Sequence, residues 1–353
     1  MRTSVILPTF NERDNIEIII PLIATTFEKE NLEYEIIVVD DNSPDQTADT
    51  ARKLSSRYPV TVIVREHERG LASAALSGFS RATGNILVVM DSDLSHPVEK
   101  LPEMIKPILE NRCEITVGSR HIPGGGCTSW PLVRQIVSRA AGSLAFGLTR
   151  LTDPTSGFMA INRSVLQDLE LSPVGWKIVL EIVTRSNARV IEVPIIFRDR
   201  VHGESKLTPL VQLQYLIHLF KLYDFKLPNL WQLVKFCLVG SSGLIIDSIV
   251  LAGLVELAGF DPRIGVCFSF IAAVIWNYLL DHSWTFRTKS KVSIKLFLSF
   301  FSICLVGLII RVGVLDLLLS QTHTYYLLAN FVGVIVSTAI NFIGSKFLVF
   351  RTS

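Results

Sequence analysis

The chain has 353 residues, of which 49% are hydrophobic and 19% are charged. That charged share lies below the roughly 25% found in soluble domains, so part of the chain is expected to lie in lipid. The formal net charge of +2 provides no basic field that would favour nucleic acid as a partner.

Short apolar runs alternate with helical patterns in the first half of the chain. The runs typical of strands lie at 4–8, 35–39, 60–64, 85–90 and 114–118, with two more at 190–194 and 195–197. Helical patterns lie at 11–26, 47–58 and 70–83. This alternation predicts an α/β domain built on a parallel sheet. Because the run after Met1 is short and reaches Pro8 at once, we expect a first strand rather than a signal peptide, and a cytoplasmic domain.

Polar clusters follow three of these runs. They lie at 8–12, at Asp40 and Asp41, and at Asp91 and Asp93. In parallel sheets ligands bind at the carboxyl ends of the strands, so the three clusters are expected to share one site. Two carboxylates one residue apart can converge on a single Mg²⁺ or Mn²⁺ ion, which often binds substrate phosphates as well. Asp91 and Asp93 therefore predict a site for a divalent cation and a phosphorylated substrate.

The pattern changes after residue 206. Leucine, tyrosine, isoleucine and phenylalanine recur at helical spacing over 207–231, which predicts amphipathic helices at the membrane surface. An ordinary helix packed on the core is the alternative. Four apolar stretches follow at 233–258, 264–283, 296–319 and 325–349, each near the ~20 residues that cross the hydrocarbon core.

Lysine and arginine lie mainly on one side of these stretches. The residues concerned are Lys226, Lys235, Arg287, Lys289, Lys291, Lys295 and Arg351. Since positive charge collects on the cytoplasmic side, both ends of the membrane region are expected in the cytoplasm, on the same side as the first domain.

The membrane region also repeats itself. The segment 277–287 parallels 341–351, with Asn, Phe and Arg at one constant offset. Each copy is a two-helix hairpin of the same orientation, so the repeat is parallel and not inverted. Ionisable residues in or near the spans are candidates for function, for interfacial placement or for helix pairing, namely Asp247, Asp281, Arg311 and Asp316.

Taken in order, the clusters at 8–12, 38–45 and 91–97 resemble those of family 2 glycosyltransferases with the GT-A fold. The resemblance is closer to the dolichol-phosphate mannose synthases and their bacterial polyprenyl-phosphate relatives, and it extends over 70–74, 117–120, 153–158 and 200–206. The C-terminal region resembles the GtrA-like four-helix domains of archaeal members. The resemblance implies an α/β GT-A (Rossmann-like) nucleotide-sugar-binding domain at 1–206, amphipathic interfacial helices at 207–231, and an all-α GtrA-like transmembrane domain with four helices at 232–353.

The resemblance also implies roles for single residues. The donor-binding residues would be Pro8, Phe10, Glu12, Val39, Asp41, Asp91, Ser92, Arg200 and Lys206. A Mg²⁺ or Mn²⁺ cofactor would be held by Asp91, Asp93 and Ser95, the last standing where some members carry glutamine. The acceptor phosphate would be bound by Arg120, Arg134 and Ser138, and the catalytic residues would be Asp91, Asp93 and Arg120.

The implied reaction transfers mannose from GDP-mannose to dolichyl or another polyprenyl phosphate in the bilayer, giving dolichyl β-D-mannosyl phosphate. A lipid phosphate is an anion near neutral pH, so its oxygen can attack the sugar C1 without a strong general base, and one displacement inverts that carbon. Two alternatives stay open: a UDP-glucose-dependent polyprenyl-phosphate glucosyltransferase, and a lipid-sugar flippase or scaffold. A processive polysaccharide synthase is disfavoured because the sequence has no Gln-x-x-Arg-Trp string.

Overall fold

The computed structural model describes residues 1–128, 130, 132–167, 169–172, 174–198, 209–288, 290–321 and 326–350. The chain divides into two units, Met1–Lys226 and Leu227–Ser353. This division lies between the domain boundaries expected at 206 and 231, which stay predictions.

Strands and helices alternate along the first unit. Its strands are β1 Thr3–Thr9, β2 Tyr34–Asp40, β3 Val60–Val64, β4 Ile86–Val89, β5 Ile115–Ser119, β6 Gly126–Cys127, β7 Met159–Asn162, β8 Val190–Pro194 and β9 Ile196–Phe197. Its helices are α1 Arg13–Lys29, α2 Thr47–Leu54, α3 Leu71–Arg81, α4 Leu101–Leu109, α5 Leu132–Ser143, α6 Ile178–Arg185 and α7 Pro209–Lys226.

Among the described residues, seven strands form one sheet in the order β3-β2-β1-β4-β7-β5-β8. Strand β7 runs antiparallel to β4 and β5, whereas the other neighbouring pairs are parallel. The prediction of a parallel sheet is therefore wrong for β7, whose four residues are too few to give a periodic signal. Its reversed direction brings the preceding segment, 153–158, to the edge of the sheet where β4 and β5 end.

Helices cover both faces of this sheet. Ile20 of α1 and Met104 of α4 lie in the apolar cluster on one face, and Ala75 of α3 and Ile182 of α6 lie in the cluster on the other. The central strands are therefore buried on both sides, as parallel strands connected by helices usually are. Full burial of a side chain such as Ile20 contributes roughly 1.5–3 kcal/mol.

Helix α7 has a buried side and an exposed apolar side. Leu219 and Leu222 pack against Leu148 and Leu180, and the hydroxyl of Tyr215 donates a hydrogen bond to the Ala141 carbonyl over 2.6 Å. The exposed apolar side chains of the helix are Leu210, Leu213, Leu216, Ile217 and Phe225. Both interpretations of 207–231 thus describe part of α7, and its position at a membrane surface stays a prediction.

The second unit contains the helices α8 Pro228–Ala252, α9 Pro262–Leu280, α10 Ile294–Gln321 and α11 Tyr326–Gly344. Over the described residues, three stretches are long and apolar enough to cross a membrane, namely Pro228–Leu257, Ile294–Gln321 and Phe331–Val349. The remaining expected span, 264–283, corresponds to α9, and its crossing of the membrane stays a prediction.

The same packing contact occurs in each of the two helix pairs of this unit. Gly243 of α8 lies against the amide group of Asn277 in α9, and Gly307 of α10 lies against that of Asn341 in α11. A Cβ atom added at the two glycines would lie 2.3 Å and 2.1 Å from the respective asparagine Oδ1. The number of residues between the two glycines equals the number between the two asparagines, so the repeat in the sequence is also a repeat in packing. Glycine permits this close approach because it has no side chain.

Two of the ionisable residues in this unit have hydrogen-bond partners within the unit. Asp247 of α8 accepts a hydrogen bond from the Ser269 hydroxyl of α9 over 2.7 Å. Asp281, which is buried, accepts one from the Thr285 hydroxyl over 2.7 Å. For Asp247 the contact supports helix pairing, one of the three roles that the sequence left open.

Candidate active site

The segments that follow β1, β2, β4 and β5 lie at one edge of the sheet. The register places Thr9 beside Asp40 and Ile6 beside Val89, so the ends of β1, β2 and β4 are neighbours. The hydroxyl of Ser92 donates a hydrogen bond to the Pro8 carbonyl over 3.3 Å and joins the ends of β4 and β1. The strand-end clusters in the sequence therefore meet in space, as the α/β pattern predicted.

A cavity of about 550 Å³ opens at this edge. The predicted site residues that line it are Pro8, Phe10, Glu12, Asp41, Asp91, Ser92, Asp93, Arg120 and Arg134. The structure thus brings together residues that the sequence assigned separately to a donor, a metal and an acceptor phosphate.

The other predicted site residues lie elsewhere. Val39 and Ser95 are fully buried in the unit. Ser138 lies on α5 one turn beyond Arg134, on the same side of that helix. Arg200 and Lys206 lie outside the described residues.

At the end of β2, Asp41 is held by groups of the protein itself. Its Oδ1 accepts hydrogen bonds from the guanidinium of Arg65, which is also buried. Its Oδ2 accepts one from the backbone N–H of Gly70 over 2.8 Å. In the cavity lining, the Arg69 guanidinium lies 5.1 Å from the centre of the Phe10 ring. This end of the cavity therefore combines a fixed carboxylate with an aromatic ring.

The acidic pair at the end of β4 is held by its neighbours. Asp93 is buried, and its Oδ1 accepts hydrogen bonds from the backbone N–H of Ser95 over 3.1 Å and from the Ser95 hydroxyl over 2.5 Å. The Asp91 side chain is 26% exposed, and its backbone N–H donates to Nδ1 of His96 over 3.0 Å. Ser95 and His96 thus fix the turn that presents the two carboxylates.

His96 serves as a support in this arrangement. Its ring stacks on Phe158, with ring centres 5.2 Å apart, and burial lowers its pKa. Because Nδ1 accepts the hydrogen bond from Asp91, the neutral ring carries its proton on Nε2. A neutral imidazole fixed in this way is suited to position Asp91.

Asp91 and Asp93 fit a divalent cation that also binds a substrate phosphate. Magnesium often binds through one or two carboxylates and completes its coordination with water and phosphate oxygens. Asp91 is open to the cavity and Asp93 is held in place beside it. Within the described residues, no group of three or more His, Cys, Asp and Glu side chains is arranged to hold a metal. A metal here would therefore complete its coordination with water or substrate oxygens.

Arg120, which follows β5, is fixed by a buried carboxylate. Asp153 accepts hydrogen bonds from Nε of Arg120 over 2.6 Å, from Nη2 over 2.7 Å and from the backbone N–H over 3.1 Å. Nη2 also donates to the Thr155 hydroxyl over 2.8 Å. Burial alone would raise the pKa of Asp153, but the hydrogen bonds and charge of Arg120 lower it to about 2. The ion pair therefore persists at any ordinary pH.

Aromatic rings surround the basic side of the cavity. The Arg120 guanidinium lies 5.3 Å from the Trp130 ring centre and 5.5 Å from that of Phe197. Arg134 approaches the Trp130 ring to 4.0 Å. The N–H groups of an arginine lie in the plane of the guanidinium, so a guanidinium held over an aromatic ring can still donate hydrogen bonds to a phosphate.

Sequence reasoning did not assign Asp153, Lys177 or Gln214 to the site. Lys177 precedes α6, lines the cavity, and donates a hydrogen bond to the Thr155 carbonyl over 2.7 Å. Gln214 of α7 lines the same cavity beside Gly175. The segment that contains Asp153 was noted for its resemblance, which could have suggested a role for this residue. Lys177 had only a weak signal, a glycine and a tryptophan before an apolar helix.

Comparisons with known proteins agree with this geometry. The family model of glycosyl transferase family 2 matches residues 4–170, and that of the GtrA/DPMS transmembrane domain matches residues 235–350. A dolichol-phosphate mannosyltransferase of Pyrococcus furiosus is 37% identical to this chain over the full length of both.

The chain belongs to the dolichol-phosphate mannosyltransferase family. It is accordingly a glycosyltransferase with a GT-A domain followed by a transmembrane domain. The dolichol-phosphate mannosyltransferase of Saccharomyces cerevisiae is 38% identical over 63% of this chain and 87% of its own length. A solved glucosyl-3-phosphoglycerate synthase from Mycobacterium tuberculosis is 22% identical, with a TM-score of 0.47 over 64% of this chain and 80% of that one.

Proposed function

We propose that this chain transfers mannose from GDP-mannose to dolichyl or another polyprenyl phosphate, giving dolichyl β-D-mannosyl phosphate. The observation that carries the proposal is the full-length similarity to a relative named dolichol-phosphate mannosyltransferase. The cavity supports it chemically, because a carboxylate pair for a metal-bound diphosphate lies in the same space as a basic group for a second phosphate.

The donor occupies the end of the cavity formed by β1, β2 and β4. Phe10 and Pro8 face the base, while Glu12 and the fixed carboxylate of Asp41 accept hydrogen bonds from the base or ribose. Val39 is buried two residues before Asp41 and would support this pocket from the core. Asp91 and Ser92 hold the diphosphate end, together with the charges of Arg200 and Lys206.

Asp91 and Asp93 hold the metal in this proposal, with Ser95 keeping Asp93 in place. A bound Mg²⁺ or Mn²⁺ ion supplies positive charge that stabilises the departing nucleoside diphosphate. The acceptor phosphate binds Arg120 and Arg134, and Ser138 can add a hydroxyl. The attacking oxygen of the acceptor phosphate is already anionic, so the protein contributes orientation and charge stabilisation rather than a general base. A single displacement from the α-linked donor inverts the anomeric carbon.

The proposal also includes the placement of the catalytic domain on the cytoplasmic side of a cell membrane. The second unit carries the apolar spans, and lysine and arginine flank them mainly on one side, for instance at Lys226, Arg287 and Lys295. The exposed leucines of α7 suit the membrane surface expected for 207–231. The acceptor lipid would then reach the cavity from the bilayer.

A donor panel tests the proposed activity. The purified full chain is incubated with polyprenyl phosphate, Mg²⁺ or Mn²⁺, and either GDP-mannose or UDP-glucose. We expect GDP release and a mannosylated lipid. Release of UDP with a glucosylated lipid would instead identify a glucosyltransferase, and binding of lipid-linked sugar without any transfer would favour a flippase or scaffold.

The metal assignment is tested in the same assay with the variant Asp91→Asn. Turnover should fall about a hundredfold or more, because the charge that a metal supplies is worth several kcal/mol to the transition state. Asp49→Asn is the matched control, since Asp49 pairs with Arg52 on the exposed surface of α2. Turnover of Asp91→Asn equal to that of the control would rule out the metal site.

A further inference from the structure

Two cationic side chains in the cavity donate hydrogen bonds to the same residue of the protein. Thr155 accepts a hydrogen bond from Arg120 on its hydroxyl over 2.8 Å, and one from Lys177 on its carbonyl over 2.7 Å. The guanidinium and the ammonium are therefore held close together in the same wall of the cavity.

The protein balances only part of this positive charge. Asp153 forms a two-point ion pair with Arg120 through Nε and Nη2. In the part of the chain that the structure describes, Nη1 of Arg120 has no hydrogen-bond acceptor, and Lys177 has Thr155 as its one acceptor. Two arginine protons and two lysine protons are thus available to a ligand.

The two cations repel each other, whereas the carboxylates of Asp153 and Asp91 attract Lys177. Burial, followed by the positive charge of Arg120, lowers the pKa of Lys177 to about 8. Like charges repel more strongly in a cavity than in water because the surroundings screen them less. A dianion between the two groups would turn this repulsion into attraction.

We propose that Lys177 binds the acceptor phosphate together with Arg120. This inference rests on the proposed function, because it assumes that a lipid phosphate is the second substrate. The donor diphosphate is a poorer match, since the metal site proposed at Asp91 and Asp93 already balances its charge. The two N–H groups on Nη1 of Arg120 and the point charge of Lys177 together match a terminal phosphate.

The first experiment measures kinetics of the full chain with the variant Lys177→Met. We expect the KM for polyprenyl phosphate to rise about 10- to 100-fold, the loss expected for a hydrogen bond between charged groups. The KM for GDP-mannose should remain nearly unchanged, and Lys177→Arg should recover part of the acceptor affinity. Lys106→Met is the control, because Lys106 is an exposed lysine of α4.

Two kinetic results would overturn the inference. A rise confined to the KM for GDP-mannose would assign Lys177 to the donor. Unchanged KM values for both substrates in Lys177→Met would leave Lys177 with a structural role only.

A second experiment uses the unmodified protein and so does not depend on whether the variant folds. Acetic anhydride labels deprotonated amines, and mass spectrometry reports the labelling rate at Lys177 and at Lys106. Polyprenyl phosphate should slow labelling of Lys177 and leave Lys106 unaffected, whereas polyprenol, which lacks the phosphate, should protect neither. Equal labelling of Lys177 with and without polyprenyl phosphate would contradict the inference.

The two proposals fail in distinguishable ways. Transfer by the unmodified protein without protection of Lys177 would uphold the proposed function and reject the role of this lysine. Protection of Lys177 without any transfer would uphold the phosphate site and reject the proposed function.

Discussion

Asp153 is the residue that connects the basic side of the cavity to the fold. Its buried carboxylate binds both the backbone and the guanidinium of Arg120. Asp153→Asn keeps the shape but removes the charge, which leaves a buried guanidinium without its counterion. We expect the free energy of unfolding to fall by about 3 kcal/mol in denaturant titrations. Turnover should fall about tenfold or more, because Arg120 would no longer be held toward the acceptor.

An exposed ion pair provides the control for this substitution. Asp49→Asn removes a partner of Arg52 in a pair whose side chains are both more than half exposed. Such pairs contribute little, so the free energy of unfolding should change by about 0.5 kcal/mol or less. Equal losses of stability in the two variants would show that Asp153 is no more than a surface partner of Arg120.

The acid dependence of stability provides a further test of Asp153. Its pKa is lowered from 3.8 to about 2 in the folded protein, so the folded state favours the ionised carboxylate. The resulting stabilisation is complete above about pH 4 and is lost as the pH falls toward 2. Asp153→Asn should therefore flatten the loss of stability between pH 4 and 2, measured by unfolding at each pH. An unchanged acid profile would contradict the lowered pKa.

The sequence was most informative where function follows from local position. Asp91 and Asp93 could be placed at the cavity because they directly follow a buried strand, and Phe10 and Asp41 because they follow neighbouring strands. Lys177 could not, because its role depends on Thr155 and Arg120, which a tertiary contact alone brings near. The exact use of Ser95 was also hidden, since its hydroxyl is bonded to Asp93 in the structure.

Among the secondary-structure elements, the glycines of α8 and α10 offer a direct test of the internal repeat. Gly243→Ala and Gly307→Ala would each place a methyl group on the amide of the facing asparagine. Overpacking of this kind typically costs about 1–3 kcal/mol. Both variants should therefore lower the unfolding temperature of the detergent-solubilised chain by similar amounts, because the two contacts are equivalent.

Gly240 is the matched control on α8. It lies one turn before Gly243, and a Cβ atom added there meets nothing within 4 Å. Gly240→Ala should leave the unfolding temperature unchanged or raise it slightly, since alanine is the better helix former. A loss as large as that of Gly243→Ala would show that helix conformation, and not the contact with Asn277, accounts for the effect.

Long elements with a clear period were predictable, and short or context-dependent ones were not. The runs around β1, β2, β3 and β4 and the apolar helices followed from periodicity and length. The antiparallel strand β7 did not, because a sequence of four residues gives no signal for the direction of a strand. Its direction is set by pairing with β4 and β5. The prediction for α7 was only partly specific, since its leucines lie both on a face packed against the core and on an exposed face.

At the scale of the whole molecule, the division into two units raises the question of where catalysis resides. All described residues that line the candidate cavity belong to the first unit. The match with the yeast relative covers 63% of this chain and 87% of the relative's own length, so about a third of this chain lies outside that match. A variant truncated after Trp231 should therefore retain measurable transfer to a short-chain polyprenyl phosphate and lose much of its membrane association.

Vesicle flotation and the transfer assay measure the two effects of this truncation separately. Retained binding of GDP by the truncated variant shows that its first unit is folded. Complete loss of transfer under that condition would contradict the prediction and would mean that the membrane unit helps to form the active site.

The central claim is that one cavity joins a nucleotide-sugar donor to a lipid phosphate in a single displacement. The most direct measurement is the structure of the product that the purified full chain makes from GDP-mannose and polyprenyl phosphate, with its anomeric configuration determined by NMR. We predict a β-linked mannosyl phosphate lipid. An α-linked product would contradict the single displacement, and the absence of any mannosylated lipid would contradict the proposed function itself.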